Sequence, residues 1–254
     1  MNGHLRIYGF EGSHPCEAVR AAAAYKGVEY EFTEVPPALH RLVMPFIVGG
    51  PRVPGAKCDG RRIRGTTAIF RLFDELEPAR RLFPSDPELR ARVEVAEQWG
   101  EGEIQDVGRR LAWAHLSRSP ETIRAWAMRA QPGIGRTVKL HGGPVLAQVA
   151  KYGNSATDKH VRADLEALPG FLDKIDAMIA DGTIGGDQPN AADFQILSTV
   201  GVWANLSDLR EPIMQRPCGA ASARLFPDYD GSIPGGLLPD EWFEPVRSRL
   251  PSPA

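Results

Sequence analysis

Residues 52–69 constrain the fold more than any other stretch. They read Arg52-Val53-Pro54-Gly55, then Asp59-Gly60, then Arg61-Arg62-Ile63-Arg64-Gly65-Thr66-Thr67-Ala68-Ile69. The Val-Pro pair opens a strand-like segment, and Asp-Gly makes a two-residue hairpin turn. A second short strand, Arg61 to Arg64, runs straight into Gly65-Thr66-Thr67. Both threonines are candidate helix caps. The helix behind them carries Ile69, Leu72, Phe73 and Leu76 as an apolar stripe.

The front of the chain has a compatible pattern. Leu5 to Phe10 alternates weakly and reads as a strand, and Glu11-Gly12-Ser13 is a turn. A helix follows, with Pro15 in its first turn and Val19, Ala22, Ala23 and Tyr25 along it. Lys26-Gly27 stops that helix. Val28 to Val35 alternates strictly and predicts a strand over its whole length. The order is therefore strand, helix, strand, irregular segment, hairpin, helix, a βαβ-type arrangement.

A chain of 254 residues predicts two compact domains. The segment from Glu77-Pro78 to Asp86-Pro87 is proline-rich, so the expected domains are 1–78 and 86–254. Beyond it the apolar period changes to 3.6: Leu89, Val93, Ala96, Trp99 and Gly100 share a face, behind Asp86 as cap, with a kink near Gly100 to Gly108. Ser119-Pro120-Glu121 opens a helix with Ile123, Trp126 and Ala127 inward, and residues 131–144 read as a loop or broken helix. Helices resume over 144–152 and 156–181, the latter with Val161, Leu165, Leu168, Leu172, Ile175 and Ile179 inward. Asn190 caps a further helix with Asp193 three residues on, and the Pro- and Gly-rich tail from Pro217 predicts an extended strap anchored by aromatic residues.

With 30 basic and 32 acidic side chains, nothing in the charge favours nucleic acid or an anionic membrane as partner. No run of eighteen apolar residues predicts a membrane span, and Met1 to His4 lacks a signal core. Three scattered cysteines, Cys16, Cys58 and Cys218, make no disulfide framework, and neither they nor the six histidines have zinc-ligand spacing. A reducing, cytoplasmic setting without a metal is the expectation.

Together these motifs resemble the glutathione transferases over most of residues 4 to 200. The resemblance implies an α/β thioredoxin-like N-terminal domain followed by an all-α helical domain, with a homodimer as the usual state. It also implies that Pro54 is cis, that Val53 offers its backbone to the cysteinyl part of a thiol, and that Thr66, beside Thr67, aligns with the family's carboxylate-binding serine. Asn190 and Asp193 match the family's buried capping motif, with Asn190 where Ser or Thr is usual.

Ser13-His14-Pro15-Cys16 occupies the strand-to-helix turn, where thioredoxin-like proteins carry Cys-x-x-Cys. Its first position points out at a helix N-terminus, which stabilises an anion. With Ser13 there, dithiol exchange lacks its first sulfur, and the resemblance implies a serine-type transferase. Its hydroxyl would donate to the bound thiolate, lowering the thiol pKa; the alternative is a plain helix cap. Cys16 is the lesser catalytic candidate, since buried cysteine is usually an inert hydrophobe. His14 is expected to be an exposed spacer.

The family has Glu or Gln just before its carboxylate-binding serine, paired with the γ-glutamyl ammonium. This chain has Gly65, preceded by Arg64. An ammonium group thus loses an acidic partner and meets a cation, which favours a thiol other than glutathione. His40, Arg41 and Arg52 are candidates for a further carboxylate. Glu103, Arg109, Arg110, Trp113 and His115 are candidates for a second, electrophilic substrate between the domains. The expected function is a transferase that adds glutathione or another low-molecular-weight thiol to a small electrophile. The alternatives are a thiol-dependent isomerase and a non-catalytic binding protein.

Overall fold

The computed structural model describes residues 4–37, 39–129, 134–229 and 232–249. Four strands make one sheet in the order β2-β1-β3-β4: β1 Leu5–Gly9, β2 Glu31–Glu34, β3 Gly55–Cys58 and β4 Arg61–Arg64. β2 runs parallel to β1, whereas β3 and β4 are antiparallel to their neighbours. Three helices complete this part: α1 His14–Lys26, α2 His40–Val48 and α3 Thr66–Leu76. α1 and α3 pack together, and α2 packs on β3 and β4 through Met44 and Val48. This is the thioredoxin-like arrangement, with the Val53–Pro54 bond cis.

Local chemistry moves several expected boundaries. The strand expected over Val28–Val35 is confined to Glu31–Glu34. Val28 instead finishes α1: Gly27 turns left-handed at φ 72°, and the Val28 N–H donates to Ala23 O at 2.9 Å. The expected irregular segment contains α2, which runs through Pro45 and ends at left-handed Gly49. Neither threonine caps α3 through its side chain; the N-cap is Gly65, at φ 80°. The stripe Ile69, Leu72 and Phe73 is buried as expected, but Leu76, at the helix end, is exposed.

After the linker the chain is helical: α4 Pro87–Trp99, a π-helical turn Gly100–Ile104, α5 Gln105–Leu116, α6 Pro120–Arg129, α7 Ile134–Gly153, α8 Asp158–Ala180, α9 Ala191–Ala204, α10 Ser207–Met214 and α11 Pro217–Leu225. A 3-10 turn Asp240–Phe243 and α12 Glu244–Arg247 follow. The π-helical turn sits where the kink was expected, pressed against α9. A Cβ on Gly100 would lie 2.8 Å from Gln195 Cγ. The loop expected over 131–144 is helical from Ile134. Residues 131–133 lie outside the described residues, as does the Ala127 side chain. Gly143 serves packing there, since a Cβ would come within 2.5 Å of Ile123 Cγ2 on α6. The expected strap begins as helix α11, whose first turn is held by the Cys218 N–H donating to Asp176 Oδ1 at 2.9 Å. Phe226 and Phe243 are buried along it, as aromatic anchors would be.

Every residue of α9 except Gly201 is buried. Its start explains how such a helix is tolerated. Asn190 Oδ1 accepts from the N–H groups of Ala192 and Asp193, while Asp193 accepts from the N–H of Asn190 at 2.9 Å and of Gly185 at 2.6 Å. Burial pushes the Asp193 acid up to about 6 against the pull of those two N–H donors. Truncation with Asp193→Ala strands both donors, and chemical denaturation should show a loss of about 2–4 kcal/mol. The pH dependence follows from the raised value. The folded state holds the proton more tightly than the unfolded chain, so this contribution is full below the ordinary carboxylate range and is lost as pH rises through about 6. Relative to Asp193→Asn, the native protein should therefore lose about 1–3 kcal/mol between pH values near 4 and above 6.

Candidate functional site

Ser13 is the N-cap of α1. Its carbonyl accepts from the N–H groups of Cys16 and Glu17 at 2.8 and 2.9 Å, while its hydroxyl makes no capping bond. The hydroxyl is thus left at the positive end of the helix. The preceding turn is pinned from two sides: Glu17 Oε1 accepts from the Gly12 N–H at 3.1 Å, and the Tyr229 hydroxyl donates to Gly12 O at 3.0 Å.

Ser13 opens onto a cavity of about 1150 Å³ between the sheet domain and the helices. Val53, His40, Arg52, Arg109, Arg110 and Trp113 line the same cavity, as do His14 and Arg41. Among the described residues no backbone hydrogen bond engages the N–H or C=O of Val53. Cys16, Pro54, Gly65, Thr66 and Thr67 do not line it. Nor do Glu103, which accepts from Trp99 Nε1 at 2.7 Å, and His115, which is buried against Leu111 O. Those two are removed from the second-substrate candidates.

Several cationic side chains stand in the cavity wall. Arg109 donates to Asp106 Oδ1 at 2.6 Å and to Gln105 Oε1, and burial lowers its pKa. Arg110 is committed to a bidentate pair with Asp164 at 2.6 and 2.7 Å. Arg41 donates to Gly153 O at 2.9 Å, tying α2 to α7, and Arg52 is exposed. His14 is a correction: it is 4% exposed, not a solvated spacer. Its ring packs against Gly108 on α5, and Nε2 has no protein partner. Burial, then nearby Arg109, holds His14 well below the usual histidine range, and burial with Arg41 and Arg109 takes His40 down to about 4. Both imidazoles are neutral near pH 7.

Cys16 sits beneath the turn, fully buried, with its sulfur against β1 where a Cβ on Gly9 would come within 2.5 Å. Burial pushes its thiol up to about 11, outweighing the opposing pull of the Ser13 hydroxyl and the Phe10 backbone. That environment suits a small hydrophobe and disfavours a nucleophile.

The start of α3 is built differently from expectation. Gly65 is left-handed and donates its N–H to Pro54 O at 3.2 Å. Arg64, expected to meet a ligand ammonium, instead donates to Gly49 O at 3.1 Å. Glu101, from the π-helical turn, reaches across: its Oε2 accepts from the Thr67 hydroxyl at 2.6 Å, and its Oε1 lies 2.9 Å from where a Cβ on Gly65 would stand. Sequence reading does not single out Glu101 or Tyr229: aromatic anchors in the tail and a kink near Gly100 are expected, but neither pattern says what it reaches.

Among the described residues no group of three or more His, Cys, Asp or Glu could hold a metal ion, and no helix is long and apolar enough to cross a membrane.

Comparison with known proteins agrees with this geometry. Residues 7–81 match the family model of the glutathione S-transferase N-terminal domain. A glutathione S-transferase from Rhodospirillum rubrum superposes with a TM-score of 0.58 at 17% identity, covering 98% of this chain and 94% of that one. The theta class glutathione S-transferase from Xanthomonas axonopodis pv. citri, solved with glutathione bound, gives 0.55 at 19% identity over 90% of this chain and 97% of that one. Beta-etherase LigF from a Sphingobium strain gives 0.57 at 17% identity, covering 79% and 84%. No curated protein matches the sequence. The chain therefore carries a glutathione S-transferase N-terminal domain and, over nearly its whole length, the glutathione transferase fold.

Two measurements check the site as described. All three cysteines are buried, so none should react with an aromatic disulfide reagent within minutes in the native protein, and all should react once it is unfolded. Tyr229→Phe removes one hydrogen bond to Gly12 and should cost about 1 kcal/mol in chemical denaturation, leaving the cysteines protected.

Proposed function

We propose that this protein is a glutathione-transferase-like enzyme that binds a low-molecular-weight thiol as its thiolate and delivers it to an electrophilic carbon. The observation that carries the reading is the Ser13 hydroxyl, free of capping duty at the α1 N-terminus and open to the same cavity as Val53. Ser13 hydrogen-bonds the sulfur and favours the ionised form over the thiol. It is never itself a covalent nucleophile. The thiol's proton leaves to solvent. The sulfur lone pair forms the new carbon–sulfur bond, and a leaving group departs with its bonding pair or, in an addition, the substrate's π pair takes up a proton.

Val53 supports the reading with an uncommitted backbone N–H and C=O for a peptide-like thiol. Thr66, Thr67 and the first turn of α3 offer N–H groups to a carboxylate. His40, Arg41 and Arg52 line the cavity and are available to a second carboxylate. Arg109 and Trp113 are the parts of the α5 wall that face an electrophile; Arg110 is held by Asp164 and acts through packing. On this reading the protein is a cytoplasmic homodimer that needs no metal.

Binding of glutathione should raise absorbance at the ultraviolet edge as thiolate forms. Ser13→Ala should suppress that rise and lower the rate of conjugation to an activated aryl halide by about a hundredfold, the usual effect of removing one donor to a developing or bound anion. Cys16→Ala should leave both within about twofold. A reversed pattern moves the chemistry to Cys16, and a thiol that binds without ionising makes the protein a non-catalytic binder.

A further inference from the structure

The thiol reading leaves the electrophile unnamed, and the α5 side of the cavity says what it must carry. A Cβ on Gly108 would lie 3.4 Å from His14 Cε1 and 2.9 Å from Thr199 Cγ2, so this glycine lets α5 close onto the start of α1. The next residue, Arg109, is thereby brought beside the turn that carries Ser13, and both line the cavity. The Arg109 charge is poorly balanced there. Its side chain is 19% exposed, whereas Asp106, the acid it pairs with, is 47% exposed and open to solvent screening. Its other partner is the neutral amide oxygen of Gln105. Glu101 attracts it from further off but accepts from Thr67, and Arg52 repels it. His14 and His40, whose own protonation Arg109 opposes, are neutral near pH 7. Each bond that Arg109 makes uses one N–H of a guanidinium that has several. A largely desolvated cation with donors to spare calls for an anion.

A second observation lies one turn further along α5. Trp113 shares a helix face with Arg109, and Trp126 of α6 lines the same cavity. Both indoles are half-buried, with Leu116 and Ile123 in the wall beside them. Such a wall takes a flat aromatic body. Arg110, the neighbouring cation, is neutralised by its bidentate pair with Asp164 and offers no competing charge. The cation and the two indoles all come from the helical domain, whereas the residues available to the thiol, Ser13, Val53, His40, Arg41 and Arg52, come from the sheet domain.

Resting on the thiol-transferase reading above, the geometry points to an aromatic electrophile that carries an anionic group, its ring against Trp113 and Trp126 and a planar oxyanion such as a carboxylate on Arg109. Arg109 is then a specificity-determining residue. It selects the electrophile by its charge and acts on the affinity for that substrate, while ionisation of the thiol stays with Ser13.

The test uses the intact protein, glutathione as thiol, and two aryl chlorides of equal size: the para-chloro-dinitro derivatives of benzoate and of benzamide. In each, the sulfur lone pair forms the carbon–sulfur bond and chloride leaves with the carbon–chlorine pair. Dividing each kcat/KM by the uncatalysed rate constant removes the difference in intrinsic reactivity. The native protein should then favour the benzoate by at least about tenfold, the usual worth of one hydrogen bond to a charged group. Arg109→Gln should bring that ratio close to unity, chiefly by raising KM for the benzoate. Arg109→Lys, which keeps the charge without the planar fork, should hold an intermediate ratio. No preference in the native protein overturns this inference, as does an Arg109→Gln variant that loses rate equally on both chlorides. Glutathione affinity in Arg109→Gln that falls as far as the benzoate kcat/KM places Arg109 with the thiol and also overturns it. Bound glutathione that ionises while neither chloride reacts overturns this inference alone. No thiolate and no conjugation overturn the thiol reading and this inference together.

Discussion

The whole molecule is organised around the burial of α9. A helix with no polar face survives only if its end groups are satisfied from within, and Asn190 and Asp193 do this at its start. The helix then becomes the surface on which the two domains meet. Phe194 packs against Tyr25 of α1 and Phe70 of α3, and the π-helical turn is pressed against Gln195 and Ile196. The linker joins in through one backbone bond, from the Ala191 N–H to Leu82 O at 2.9 Å. Leu82 and Phe83 are themselves held by Asp74, which also pairs with the buried ammonium of Lys26 at 2.5 Å. Removing one member of that set leaves a buried charge or N–H without a partner, so the junction forms as a unit.

Because the junction is fixed, so is the position of everything the helical domain lends to the sheet domain. α5 lies over the start of α1, with Gly108 allowing the His14 ring to approach. Glu101 crosses to the start of α3 for the same reason. The α3 N-terminus is joined to the cis Val53–Pro54 loop by the Gly65 N–H donating to Pro54 O, the turn before α1 shares a cavity with Val53, and each start receives a contact from the helical domain, Glu101 at Thr67 and Tyr229 at Gly12. The cavity is a property of the interface and of neither domain alone.

What could be read from sequence was what nearest neighbours dictate. The Asp59-Gly60 turn, the Gly27 stop, the Asp86 cap and the Asn190–Asp193 box each involve groups within a few positions, and each stands as read. So does most of the stripe of α8, where Val161, Leu165, Leu168, Leu172 and Ile175 are buried in one continuous row and Ile179, near the helix end, is half-buried. Breakers misled where tertiary packing overrode them. Pro45 sits inside α2, and Gly142, Gly143 and Pro144 sit inside α7 because Ile123 needs the space beside Gly143. The candidate site was legible in its thioredoxin-like half, since Ser13, Val53, His40 and Arg52 do share a cavity. Glu101 was not legible. It meets Thr67 across 34 positions, and no periodic pattern encodes such a contact.

The electrostatics of the cavity narrow where a sulfur anion can rest. His14 and His40 are kept neutral by burial and by Arg109, so neither supplies a counter-charge at neutral pH. Cys16 is kept protonated by its own burial, although it lies within the first turn of the helix. A guest thiolate differs from Cys16 in one respect: it would lie on the cavity side of Ser13, with the α1 N-terminus and the cationic Arg52, where Cys16 faces β1 and the apolar floor. Low dielectric penalises a charge that has no dipoles aimed at it and strengthens its interaction with those that are. The burial that silences the protein's own sulfur would therefore favour a sulfur brought to the other side of Ser13.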